Sequence, residues 1–240
     1  MNWITNYTWN NLQKPILCIC FDDGYRTDKE VFLDSRGIKG TSYAITGMLT
    51  GEIPRDDRLT WDDVKVMLKL GWGIECHTHT HTNLTTLTES QMHQEMQNVN
   101  AAFAGQGLQT PKHHAFPQSG YNEAVISVLS QYRETLRGGI LEGGFAYADV
   151  EWYPLMSAKQ VDMRTEAELN NIKNVIASAA KNNKVVLVLL HELKDTVPTA
   201  EEYKCYKPYF WEMVDFAISK GMNIWTVGSM YNYVKYVNGL

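Results

Sequence analysis

The sequence predicts an α/β barrel, and three observations predict it. Short, continuously apolar runs, clearest at Ile16–Phe21 and Val185–Leu190, read as strands buried on both faces, as in parallel sheet. Longer segments with apolar residues at helical spacing alternate with these runs, which implies right-handed crossovers between parallel strands. The polar clusters fall just after the apolar runs, where a β/α barrel carries its chemistry. About seven strand–helix units fit in 240 residues, which suits a closed barrel better than an open sheet.

In chain order, the Ile16–Phe21 strand ends in two aspartates, and a helical pattern then runs through Val31 and Phe32 to stop at Gly37. Thr41–Ile45 reads as strand. Thr60 is placed to N-cap a helix with Val64, Met67 and Leu68 on one face and Gly71 at its end. Gly73–Cys76 is a short strand, and Thr88-Glu89-Ser90 opens a long helix whose apolar positions include Met92, Met96, Val99 and Phe103. A short strand at Lys112–Phe116, a helix from Tyr121 to Leu129 and a weaker strand at Thr135–Arg137 follow, and residues 138–163 give the poorest signal. Glu166–Lys181 is helical, Lys184–Leu190 is the clearest buried strand, and a helix at Tyr206–Lys220, a strand at Asn223–Trp225 and a helix through Tyr231 complete the chain.

Composition excludes several classes. With 44% hydrophobic and 20% charged residues the chain has the makings of a core and is not a disordered polymer. Its 22 basic and 27 acidic side chains give a net charge of −5, which argues against a nucleic-acid partner. No run approaches the roughly 20 apolar residues that would insert into a membrane, and Met1–Asn6 has neither the basic start nor the apolar core of a signal peptide. Four cysteines do not make a disulfide framework in a chain of this length; Cys18 and Cys20 lie two apart on one strand face, poorly placed to bridge, and read as buried thiols.

Three clusters carry chemistry. Asp22-Asp23-Gly24 places adjacent carboxylates at a strand end, where a metal ion would relieve their repulsion and leave one carboxylate as a base; Asp-Asp-Gly is equally good turn chemistry. His77-Thr78-His79-Thr80-His81 packs three histidines into five residues. On a helical turn His77 and His81 would share a face at i and i+4, whereas on a strand all three would, and either suits a metal. His191 follows the strongest strand directly, a place from which an imidazole can act as a general acid, although single histidines are commonly structural. Together these residue types describe metal-assisted hydrolysis.

The run Cys20-Phe21-Asp22-Asp23-Gly24 with His77-Thr78-His79-Thr80-His81-Thr82-Asn83-Leu84 resembles the T-F-D-D-G and H-[ST]-x-x-H motifs of the polysaccharide deacetylase family, carbohydrate esterase family 4 or the NodB homology domain. Gly73-Ile74-Glu75-Cys76, Arg36–Thr41, Phe116-Pro117-Gln118-Ser119-Gly120 and Leu189-Leu190-His191 resemble further family segments, so the likeness spans residues 16 to about 235. It implies a distorted (β/α)7-type barrel and a single catalytic domain over residues 1–240. It also implies metal-dependent removal of acetyl groups from a polysaccharide, most simply one containing N-acetylglucosamine. Carried across, Asp23, His77 and His81 would ligate one divalent metal, Zn2+ or, with the same ligands, Co2+ or Ni2+. Asp22 would be the base for the attacking water and His191 the acid for the leaving group. A backbone N–H near Gln118 or Ser119 would help hold the oxyanion, with His79 at a variable position facing solvent or the groove. Tyr25, Tyr121 and Trp152 are candidates to stack on sugar rings.

The chain departs from the family at two motifs. Ala115 stands where the third-motif arginine is expected, and Arg137, at the end of the next strand, is the candidate replacement partner for Asp22. The fourth motif, an Asp and a Trp that orient the acid histidine, has no clean match; Asp149 with Trp152, or Asp162, could serve. The implied partner is an acetylated oligo- or polysaccharide met outside the cytoplasm or at the cell envelope, with the protein a monomer. O-acetyl-xylan esterase activity on the same site, an amidohydrolase-type site built on His77 and His79, and a non-catalytic glycan-binding module are the other readings.

Overall fold

The computed structural model describes residues 12–34, 36–139, 155–199 and 202–237. Strands β1 (Ile16–Asp22), β2 (Thr41–Ala44), β3 (Gly73–Cys76), β4 (His113–Ala115), β5 (Thr135–Gly139), β6 (Leu155–Gln160) and β7 (Val185–Leu190) follow one another around a ring, all parallel. The ring closes because β7 pairs back onto β1 from Ile16↔Val185 to Phe21↔Leu190. This is the distorted (β/α)7 barrel that the sequence predicts. Two further short strands, β8 (Glu192–Lys194) and β9 (Lys204–Tyr206), pair with each other above the rim. The last strand, β10 (Asn223–Trp225), lies against the first half of β1, whose second half pairs with β2.

The helices are α1 (Asp28–Phe32), α2 (Thr46–Thr50), α3 (Trp61–Lys69), α4 (Glu89–Gly105), α5 (Glu123–Leu129), α6 (Glu166–Lys181), α7 (Lys207–Ser219) and α8 (Val227–Val237). Thr60, Thr88 and Thr165 each form a reciprocal capping box with the residue three positions on, which is why α3, α4 and α6 start where the sequence indicates. Helix α1 ends at Phe32, short of Gly37, because the Asp34 carboxylate accepts the Arg36 N–H at 2.9 Å and draws the chain into a local turn.

Alternation along β1 separates two apolar layers. Ile16, Cys18 and Cys20 face the barrel interior, with Tyr43, Ala115, Met156, Ala158, Leu187 and Leu189. Leu17, Ile19 and Phe21 face outward into the layer between strands and helices. Helix α8 closes the lower end of the barrel with Val227, Met230 and Val234, and its Val227 N–H donates to Thr41 Oγ1 at 2.9 Å. All four cysteines are free and buried. Among the described residues no helix is long and apolar enough to cross a membrane. With the interior filled from below, the open end of the barrel is the one where β1, β3, β4, β6 and β7 finish.

Candidate active site

The two-residue period of β1 that sends Cys18 and Cys20 inward also sends Asp22 inward, at the top of the barrel and 3% exposed. Asp23 and Gly24 then take left-handed backbone conformations, φ 72° and 63°, which turn the chain and set the Asp23 carboxylate across the opening. His77 follows β3 directly, its N–H bonded to the Ala44 carbonyl at 3.1 Å. Its Nδ1 lies 2.8 Å from the Ala115 carbonyl. A carbonyl only accepts, so Nδ1 carries the proton and Nε2 offers a lone pair to the opening.

His81 arrives by neither of the two geometries the sequence allowed. Residues 77–81 are loop, with Thr78 and His81 at φ 65° and 63°, and the His81 N–H donates to Thr78 Oγ1 at 2.9 Å. This brings His81 Nε2 within 3.2 Å and His77 Nε2 within 3.3 Å of the same Asp23 oxygen, Oδ1. That oxygen is buried yet has no hydrogen-bond partner among the described residues. Three donor atoms within 4.8 Å of one another, with lone pairs facing inward, form a set that fits a divalent cation. Burial alone would raise the Asp23 carboxyl; with no ion bound, hydrogen bonds and charge from protonated His77 and His81 outweigh it and hold it well below the ordinary carboxylate range. His77 shifts the other way: burial lowers it, and the charges of Asp22 and Asp23 more than offset that and raise it.

The structure places Arg137 on Asp22. Its Nη2 donates to Asp22 Oδ1, its guanidinium lies 4.7 Å over the Tyr43 ring, and the side chain is 1% exposed. Asp22 Oδ2, the other carboxylate oxygen, is 4.0 Å from His77 Nε2. Ala115 and Arg137 are register partners on β4 and β5, so the arginine stands one strand over from the position first expected, at the same height.

His191 sits at the end of β7 with Nδ1 buried and unpartnered among the described residues. Asp162, just beyond β6, has a buried Oδ1 in the same condition, while its Oδ2 accepts from Gln160 Nε2 at 2.5 Å. Burial pushes the Asp162 carboxyl up, and the Gln160 hydrogen bond and then the nearby His191 offset this only in part. Asp149 and Trp152 lie outside the described residues. A pocket of about 580 Å³ gathers Asp22, Asp23, His77, His81 and His191. Tyr25, Gln118 and Ser119 also line it. The Ser119 N–H is already committed to the Phe116 carbonyl at 3.1 Å, so of the two candidate oxyanion donors it is the less available.

Two features escape local sequence reading. His79 is 7% exposed and faces neither solvent nor groove; it points away from the cluster, with Nδ1 at 3.0 Å from Thr46 Oγ1 and Nε2 at 3.1 Å from Glu52. His77 and His79 therefore do not form a paired site of the amidohydrolase type. Tyr203, 69% exposed, stands over the pocket with its ring 6.0 Å from that of His191. It precedes β9, an element created by pairing with β8, so nothing in its neighbours signals the position. Tyr121 lines the same pocket, stacked on Phe116 at 5.0 Å.

The family model described as polysaccharide deacetylase matches residues 10–135, more than half of the chain and including both Asp22-Asp23 and the histidine loop. The chain belongs to the polysaccharide deacetylase family. Solved structures agree on the deacetylase fold. The chitin deacetylase of Colletotrichum lindemuthianum is similar at 18% identity and a TM-score of 0.61, over 91% of this chain and 88% of that one. A family 4 carbohydrate esterase from Streptomyces lividans, in complex with acetate, is similar at 18% identity and a TM-score of 0.56, over 88% and 91%. A Streptococcus pyogenes deacetylase, also with acetate, is similar at 22% identity and a TM-score of 0.51; the match covers 58% of this chain and 62% of that chain. No curated protein matches this deacetylase-family chain by sequence. Membership of this family supports a hydrolase of the deacetylase or esterase type.

Proposed function

We propose that this protein is a divalent-metal-dependent deacetylase acting on an N-acetylated glucosamine polymer, working as one catalytic domain. The observation that carries the reading is the convergence of His77 Nε2 and His81 Nε2 on a buried, unpartnered Asp23 oxygen, with Asp22 beside it and His191 lining the same pocket. Asp23, His77 and His81 would hold the ion, and Zn2+ suits two imidazoles and a carboxylate best. When bound, the ion supplies Lewis-acid polarisation of the acetyl carbonyl and acidifies water.

The remaining work falls to the chain's own groups. Asp22 takes the proton of the attacking water through Oδ2, while Arg137 holds Oδ1 and keeps the carboxylate oriented. His191 delivers a proton to the departing amine, with Asp162 orienting it. The Gln118 N–H is placed to help hold negative charge on the acetyl oxygen. Tyr25, Tyr121 and Tyr203 give the pocket an aromatic rim suited to sugar rings, and the Arg58 guanidinium, 3.6 Å over the Tyr25 ring, backs one of them. The F-D-D-G-Y form of the first motif and the relocated arginine favour the amide substrate over an acetyl ester.

The test is acetate release from a panel of acetylated oligosaccharides, including N-acetylglucosamine oligomers and acetylated xylan, with and without chelator and with Zn2+, Co2+ or Ni2+ restored. The expected result is activity on the glucosamine oligomers that chelation abolishes, a divalent ion restores and Asp22→Asn removes. Activity that survives chelation or Asp22→Asn refutes the mechanism. Release from xylan alone would reassign the substrate, and glycan binding with no acetate release would leave a binding module.

A further inference from the structure

The geometry points to Glu95 as the positioning residue that holds the metal-ligand loop in its ligating shape. The inference rests on the metal reading above. Helix α4 turns a buried face inward at Met92, Met96, Val99 and Phe103, and Glu95 lies on that face, 8% exposed. A carboxylate among such neighbours carries a desolvation cost that must be offset by hydrogen bonds. It has three, all from the loop that joins His77 to His81. Oε2 accepts the His79 N–H at 2.8 Å and the Thr80 N–H at 3.0 Å, and Oε1 accepts the Thr80 hydroxyl at 2.8 Å.

Those bonds are directed at the part of the loop that decides where His81 goes. His77 is fixed by β3 and by the Ala115 carbonyl, but His81 reaches Asp23 only because Thr78 and His81 adopt left-handed conformations, each uncommon for residues with a Cβ. Glu95 grips the two residues between them. The other side of the loop rests on the start of α2, where the Thr46 and Gly47 N–H groups donate to the Thr78 and His79 carbonyls at 3.2 and 2.9 Å. One carboxylate on α4 and two amides on α2 thus clamp the loop from opposite sides. A set of ligands held in advance binds its ion without first ordering the chain, so loosening the clamp lowers affinity for the ion.

The experiment measures Zn2+ affinity of the full-length chain by competition with a chromophoric chelator, with circular dichroism to confirm folding. Glu95→Ala is expected to bind Zn2+ about 10- to 100-fold more weakly than wild type. Glu95→Gln is expected to stay within about threefold, because one amide oxygen can take both N–H bonds and the NH2 can donate to Thr80, whose hydroxyl then turns to Thr82 Oγ1, 2.7 Å away. A merely structural Glu95 would lower thermal stability and leave the affinity of the folded protein unchanged, so wild-type affinity in folded Glu95→Ala overturns the inference. Should Glu95→Ala fail to fold, Glu95→Asp carries the test: one methylene short of the loop, it must also lose affinity, and wild-type affinity there overturns the inference equally. A wild-type protein that takes up no Zn2+ overturns the metal reading itself, a result distinct from unequal or equal affinities among variants.

Discussion

Asp22 and Arg137 are each buried, and they form an ion pair inside the barrel. The perturbation that tests this is a double-mutant cycle of Asp22→Asn and Arg137→Met, measured on metal-free protein so that no bound ion substitutes for the guanidinium. Two unit charges about 4 Å apart interact by about 4 kcal/mol at the effective dielectric of a protein site. Removing one partner of a buried pair costs about 3–5 kcal/mol, because the survivor is left desolvated and uncompensated. At roughly 2–4 °C per kcal/mol for a chain of this size, each single variant should melt roughly 6–20 °C below wild type. The double variant buries neither charge, and its loss should be smaller than the sum of the singles by about 2–4 kcal/mol. Urea unfolding at neutral pH gives the four free energies. Additivity within about 0.5 kcal/mol would refute the pairing.

The kinetic arm separates a structural pair from a catalytic one. A base that loses the donor holding one of its oxygens is free to turn away from the water, so Arg137→Met should lower kcat with KM little changed. Wild-type turnover would remove Arg137 from the chemistry even if the stability cycle showed coupling.

Three further outcomes can be checked independently. Gly47→Ala would put a Cβ 2.6 Å from the His79 carbonyl oxygen and 2.9 Å from Ile53 Cδ1, so it should cost about 1–3 kcal/mol in thermal unfolding and weaken Zn2+ binding by shifting the loop; unchanged melting and affinity would mean that the loop yields freely. Burial lowers His113 to about 4, so between pH 6.5 and 4 the unfolded chain binds the extra proton, and stability present above 6.5 drains away as the pH falls through that window. The loss is on the order of 3 kcal/mol, and His113→Gln should lack this component of the slope; parallel pH–stability curves for the two proteins would contradict it. Tyr203→Ala should raise KM for glucosamine oligomers about 2- to 10-fold with kcat unchanged, the size of one lost aromatic contact; an unchanged KM for every oligomer length would take Tyr203 out of the binding groove.

Strands β1, β3, β7 and β10 and helices α3, α4 and α6 were legible to within a residue or so, because each combines an unbroken period with a chemical stop: Asp22-Asp23 after β1, a capping threonine before each of those helices. Strand β6 was not. Leu155–Gln160 ends in Lys159 and Gln160, the second of which lines the pocket, and these two polar residues erase the apolar run by which a buried strand is recognised. Strands β8 and β9 are three residues each and owe their existence to pairing across the rim, a non-local cause with no local period. At the pocket, residue type and spacing single out Asp22, Asp23, His77, His81 and His191, and the structure brings these five together. The inward turn of His79 could not be seen, since it depends on Thr46 and Glu52 meeting it from α2 and the turn that follows. Glu95 left a fainter trace, a carboxylate within an otherwise apolar helical stripe.

The position of Arg137 follows from the register of the sheet, since it reaches Asp22 from the strand beside Ala115 and at the same height. Neighbouring parallel strands lie about 4.8 Å apart, and residues in register stand at the same height in the barrel, so moving a long side chain from one strand to the next displaces its root by less than its own length. Ala115 and Arg137 are such a pair. Residue 115 has a task that no side chain performs, because its carbonyl receives the His77 Nδ1–H and thereby fixes which nitrogen faces Asp23. Backbone chemistry therefore holds β4 in the site while the charge comes from β5. The physical requirement at that height is a buried cation within reach of Asp22, and it constrains the layer of the barrel more tightly than it constrains the order of residues along the chain.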